Sequence, residues 1–221
     1  MRELGKKIPI SKKTIDDGND KITVSGFGKY RYENGEKTKR YLLEINIENI
    51  EENNCLNVIM FNPSEAKTEY KNGKFISEGE FFVDSTITNI IKIAKDNKYN
   101  SIKVYNLFPK ITSEPNIITS DKDDMNTKYI VESMPENSDI LIAWGAILKD
   151  RKWINEIKKE LYEKLKKNNL FTFCANKNKN FPKHPANIDI DCCRNCYTRS
   201  GKIKLKPLDP KQIIMDETID A

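Results

Sequence analysis

Four short apolar runs, separated by stretches of helical periodicity, constrain this chain more than any other feature. They are Val58-Ile59-Met60-Phe61, Ile102-Lys103-Val104-Tyr105, Ile140-Leu141-Ile142-Ala143-Trp144 and Leu170-Phe171-Thr172-Phe173-Cys174. A run that is apolar at nearly every position has no solvent face, so it fits a strand covered on both sides, as in a parallel sheet. Between the runs, Ile87, Ile90, Ile91 and Ala94 share one helical face. Trp153, Ile154, Ile157, Leu161 and Leu165 make a second stripe, with Lys152, Lys158, Lys159 and Lys166 elsewhere on that helix. A weaker helical pattern covers Asp123 to Ser133. The alternation predicts an α/β fold, with three α/β/α layers built on a four-stranded, mainly parallel sheet over residues 56–221.

Ahead of that domain, residues 21–55 read as a β-hairpin packed on the core. Asn34-Gly35 is a strong hairpin signal, because both residues tolerate positive φ in a type I′ turn. Tyr30 and Tyr32 alternate before it, and Tyr41, Leu43, Ile45 and Ile47 follow with period two. Residues 1–20 are polar and are expected to form an arm, and Ile203-Lys204-Leu205 an edge strand.

Composition narrows the function classes. Of 221 residues, 38 are Lys or Arg and 33 Asp or Glu, a formal balance of +5 that is compatible with a polyanionic partner without requiring one. No apolar stretch approaches the ~20 residues of a membrane span, and no secretory signal pattern opens the chain. A soluble, cytoplasmic monomer is expected. Five cysteines, an odd number in such a chain, are expected to be reduced thiols. Cys193 and Cys196 have the spacing of a metal knuckle, next to Cys192 and with Cys174 as a further ligand candidate, but a second knuckle is missing; no metal is expected.

In parallel sheets ligands bind beyond the carboxyl ends of the strands. Here Asn62-Pro63-Ser64 follows the first run, Asn106-Leu107-Phe108-Pro109 the second and Gly145 the third, while His184-Pro185 follows the loop after the fourth. Phosphate-binding glycine loops and nucleophile elbows are absent. The sole histidine excludes two-histidine metal motifs.

These motifs, in this order, resemble the uracil-DNA glycosylase superfamily. They resemble more closely a bacterial and phage domain family of uncharacterised function with N-P-S, Asp-x-Thr, N-L-F, A-W-G and H-P motifs. The matches are Asn62-Pro63-Ser64, Asp84-Ser85-Thr86, Asn106-Leu107-Phe108, Ala143-Trp144-Gly145 and His184-Pro185. The resemblance implies a glycosylase-like fold and a DNA glycosylase that flips a damaged or modified base, such as a modified phage base or uracil, and hydrolyses its N-glycosidic bond without a cofactor. It implies that Asn62 orients the attacking water and that His184 donates to the leaving base; Asp84 has no simple counterpart in the glycosylases, but as a carboxylate near the site it is a candidate base. The resemblance further implies that Asn106 reads the base edge and that Phe81 or Phe82 stacks on the base, beside Pro63 and Ser64. Lys29, Lys37, Lys39, Lys177, Lys179 and Lys183 are expected to contact DNA phosphates, with Ile188 as the wedge. Two alternatives stand beside this reading: a non-catalytic module binding nucleotide, nucleic acid or protein, and an enzyme of free nucleotides. Asp84 also reads as a plain helix N-cap, and Phe81 and Phe82 as core residues.

Overall fold

A computed structural model of the chain describes residues 7–16, 21–34, 36–63, 84–112, 123–145, 152–173, 184–185 and 202–214. It contains β1 (Lys7–Asp16), β2 (Lys21–Glu33), β3 (Glu36–Ile47), β4 (Cys55–Met60), α1 (Ser85–Asp96), β5 (Ser101–Asn106), α2 (Asp124–Ser133), β6 (Asp139–Ile142), α3 (Lys152–Leu165), β7 (Asn169–Thr172), β8 (Lys206–Pro207) and α4 (Lys211–Ile214). All the strands join one eight-stranded sheet in the order β1-β2-β3-β5-β4-β6-β7-β8.

This overturns the expected four-stranded, mainly parallel sheet in a three-layer domain. The sheet is mixed: β1–β2, β2–β3, β3–β5 and β7–β8 are antiparallel, and only β5–β4, β4–β6 and β6–β7 are parallel. The apolar runs do supply the parallel pairings. The hairpin is no separate lobe, because β3 hydrogen-bonds to β5 with Leu43 opposite Val104 and Ile45 opposite Ile102. Residues 7–16, expected within a polar arm, form β1 on the edge of β2. The C-terminal edge strand falls at Lys206–Pro207, just beyond the segment expected.

Side-chain alternation divides the core. Leu56, Val58, Met60, Ile102 and Val104 pack with Ile87, Ile90, Ile91 and Ala94 of α1. On the other face Ile59, Phe61, Tyr105, Ile140 and Ile142 pack with Ile130 of α2 and Ile154, Ile157, Leu161 and Leu165 of α3. Lys158, read from the sequence as lying off the apolar stripe, is buried, with its ammonium 5.8 Å from the Trp144 ring centre. α1 starts where Asp84 accepts a 2.7 Å bond from the Ile87 N–H. It links the parallel strands β4 and β5, so its N-terminus lies at the carboxyl rim of the sheet. No helix among the described residues is long and apolar enough to cross a membrane.

The β2–β3 pairing contains an irregularity that matters below. Lys29 pairs with Leu42 and Tyr30 with Arg40, which leaves Tyr41 as an extra residue in β3. Tyr41 packs edge-on to Tyr129 of α2, and Lys39 pairs with Asp123 at the start of α2. Leu42 belongs to the α2/α3 core and Leu43 to the α1 core. Lys39 and Tyr41 therefore point towards α2, and Arg40, between them, points to the α1 face. The period-two reading that grouped Tyr41 with Leu43, Ile45 and Ile47 fails at this bulge.

Candidate functional site

The carboxyl ends of β4, β5 and β6 lie side by side. Met60 pairs with Asn106 and Ile59 with Ile142, and the zip continues through Leu107 N–H to Met60 O at 2.9 Å and Phe108 N–H to Phe61 O at 2.9 Å. Asn62 follows β4 at this rim. Its amide nitrogen donates to Thr112 O at 2.8 Å and to Pro63 O at 3.1 Å. With its hydrogens engaged, the orientation of the amide is fixed and Oδ1 remains as its acceptor.

Asn106 ends β5 and is fully buried. By alternation it shares the α1 face with Ile102 and Val104. Its backbone carbonyl accepts from the Asn126 side chain at 2.8 Å, whereas its own side-chain nitrogen and oxygen have no hydrogen-bond partner. Leaving a buried amide unsatisfied at both ends is costly, of order 1–3 kcal/mol per group, so water or a ligand is needed to complete its hydrogen bonds.

His184 is held from two sides. Asn89 of α1 donates to Pro185 O at 2.8 Å. On the other side is Gly145, just beyond β6, with φ +78°; a Cβ placed there would lie 3.1 Å from the His184 Cβ. The glycine thus supplies both a left-handed turn and the space into which the histidine packs. Burial holds the imidazole below its ordinary pKa, and the nearby negative charge of Asp84 opposes that shift only in part. The shift favours the neutral imidazole, which carries one N–H. Asp84 performs the N-cap role and also supplies the carboxylate charge that His184 feels.

The structure thus brings Asn62, Pro63, Asp84, Asn106 and His184 to one rim. The lysines of the hairpin behave differently. Lys39 is 2.8 Å from Asp123, and the Lys29 ammonium lies 4.7 Å from the Tyr129 ring centre, so both are engaged with the α2 segment. Lys37 lies on β3 opposite Tyr32. Ser64, Phe81, Phe82, Lys177, Lys179, Lys183 and Ile188 lie outside the described residues, as do Cys174, Cys192, Cys193 and Cys196. Sequence reasoning missed Arg40, Asn89 and Asn126. Asn126, fully buried within a polar stretch of α2, holds the ends of β5 through Asn106 O and Leu107 O. Only its place beside the weak apolar stripe could have flagged it.

The profile of the family described as protein of unknown function (DUF1643) matches residues 40–186, and the chain belongs to that family. The matched segment opens at Arg40 and closes just past Pro185, so it spans the whole rim. No curated protein and no solved structure matches the chain. These comparisons provide no link to the uracil-DNA glycosylase superfamily; that resemblance rests on the motifs alone.

Proposed function

We propose that the rim is the active site of an N-glycoside hydrolase that removes a base from DNA. The observation that carries this reading is the buried Asn106 amide, which offers a donor and an acceptor side by side with no protein partner. That pair complements the edge of a nucleobase. In the proposed reaction Asn62 Oδ1 accepts a hydrogen bond from the water and orients it towards C1′. The neutral His184 N–H donates to the leaving base, stabilising negative charge that develops only as the bond breaks. Asp84 acts on the imidazole through its charge, and the proton that the water sheds as the C1′–O bond forms passes to the departing base. An oxocarbenium-like transition state asks for such electrostatic support more than for a strong base.

A second reading, hydrolysis of a free nucleotide or nucleoside, draws on a specific observation: Lys29 and Lys39 are engaged with Tyr129 and Asp123. One experiment separates the two. The protein is incubated with DNAs carrying uracil or modified bases and, in parallel, with the matching nucleotides, and base release is followed together with alkali-labile abasic sites. Release from DNA that weakens steeply with salt supports the first reading. Release only from free nucleotides supports the second, and no release from either class removes both.

A further inference from the structure

Arg40 is the least expected residue of the rim. It is only 4% exposed, and no carboxylate pairs with it among the described residues. Its Nε is sealed from solvent without a hydrogen-bond partner. Desolvating a guanidinium in this way is unfavourable unless an anion compensates it. The bulge at Tyr41 turns Arg40 to the α1 face, the same face as Asn106 on the neighbouring strand β5. Its backbone N–H donates to Pro109 O at 2.7 Å, so it stands level with the turn that follows Asn106.

Two buried side chains with polar atoms that lack a partner, both ends of the Asn106 amide and the Arg40 Nε, therefore lie on one face of adjacent strands, at one rim. Asn106 asks for a ligand edge with a donor and an acceptor, and Arg40 asks for an anion. A planar fork of N–H donors suits phosphate oxygens. We propose that Arg40 is a phosphate-binding residue of this site, holding a phosphate of the nucleotide whose base Asn106 reads. This rests on the reading of Asn106 given above. The phosphate is either the monoester of a free nucleotide or a diester of DNA.

The test uses the full chain and binding alone. Wild type is titrated by calorimetry with a deoxynucleoside, its 5′-monophosphate, and a trinucleotide carrying the same base at its centre. The phosphorylated ligands should bind about 10–100-fold more tightly than the nucleoside, the worth of charge-assisted hydrogen bonds. Preference for the monophosphate identifies the free nucleotide as the source, and preference for the trinucleotide identifies the diester. Equal affinity for all three overturns the proposal without any variant.

In R40M the preference should vanish while nucleoside affinity stays, and in R40K it should be partly retained. Without ligand, R40M should melt at or above the wild-type temperature, because an apolar side chain replaces a buried charge that no carboxylate pairs with among the described residues. Nucleotide preference that survives in R40M overturns the proposal, and so does a large drop in its melting temperature, which marks a structural role. Base release assayed on the same samples separates this inference from the catalytic reading. Arg40-dependent binding without base release removes the hydrolase and keeps the phosphate site, and base release without phosphate preference does the reverse.

Discussion

His184 lets single-residue behaviour be followed directly, since the chain has only one histidine and one imidazole to observe. Its pKa is depressed in the fold, so the unfolded chain binds its proton more readily. The stability this contributes is present above the unfolded value of about 6.5 and is lost as pH falls through the folded value. Melting temperatures of wild type and His184→Gln, measured from pH 7.5 to 5, should differ in slope, with the wild type losing more on the acid side. Parallel slopes would show that burial does not govern this group. In catalysis, His184→Ala should slow single-turnover base release by about 10²–10³, the usual loss for one preorganised donor. Asn62→Ala should cripple the same step, while base affinity is held by Asn106. Asn106→Asp, which exchanges a donor for an acceptor, should change which base is accepted. Wild-type rates in both His184→Ala and Asn62→Ala would remove the proposed mechanism.

Elements place these residues more than their own chemistry does. Asp84 serves α1 and His184 together, and two substitutions separate the roles. Asp84→Asn keeps an N-cap of equal quality and removes the charge, so stability should hold while the His184 pKa, followed by NMR, falls further. Asp84→Ala should show the same pKa change and also lose about 1 kcal/mol of stability. If Asp84→Asn leaves the His184 titration unmoved, the carboxylate does not act on the imidazole. At the end of β6, Gly145→Ala faces both a left-handed φ and a Cβ 3.1 Å from His184. A cost of about 1–2 kcal/mol is expected from the backbone alone. Displacement of the imidazole should also lower base release more than stability, as seen by comparing melting with turnover.

At the scale of the whole molecule, the legible parts were those whose environment leaves a mark on composition. The runs at residues 58–61 and 102–105 are apolar because β4 and β5 are covered by α1 on one face and by α2 and α3 on the other. The rim was legible for the same reason: where such a run stops, Asn62, Asn106 and Gly145 stand out. The extent of the sheet was not legible. β1 reads Lys-Ile-Pro-Ile-Ser-Lys-Lys-Thr-Ile-Asp, and an edge strand needs no continuous apolar pattern. Arg40 was hidden by one inserted residue, because a bulge reverses the faces that simple alternation assigns. Because β1 contributes one antiparallel pairing at the margin, a chain lacking residues 1–16 should stay folded but expose the backbone of β2. Sedimentation should then show stronger concentration-dependent association than in the full chain; association equal to that of the full chain would mean that β1 does not guard that edge.

The pairing of β3 with β5 across the intervening β4 and α1 also sets a schedule for synthesis. As the chain leaves the ribosome, β2 and β3 can close through the turn at Asn34, whose φ of 52° suits it. The second edge of β3 must then wait until residues 48–100 have been made, on the order of 3–10 seconds at ordinary elongation rates. During that interval the nascent hairpin carries an open edge. Lys37, Lys39 and Arg40 are clustered on the waiting strand, and charge of that kind keeps an open edge from recruiting a neighbouring nascent chain. The same arginine is afterwards folded inward, so a charge carried on the open edge of the growing chain becomes part of the finished rim.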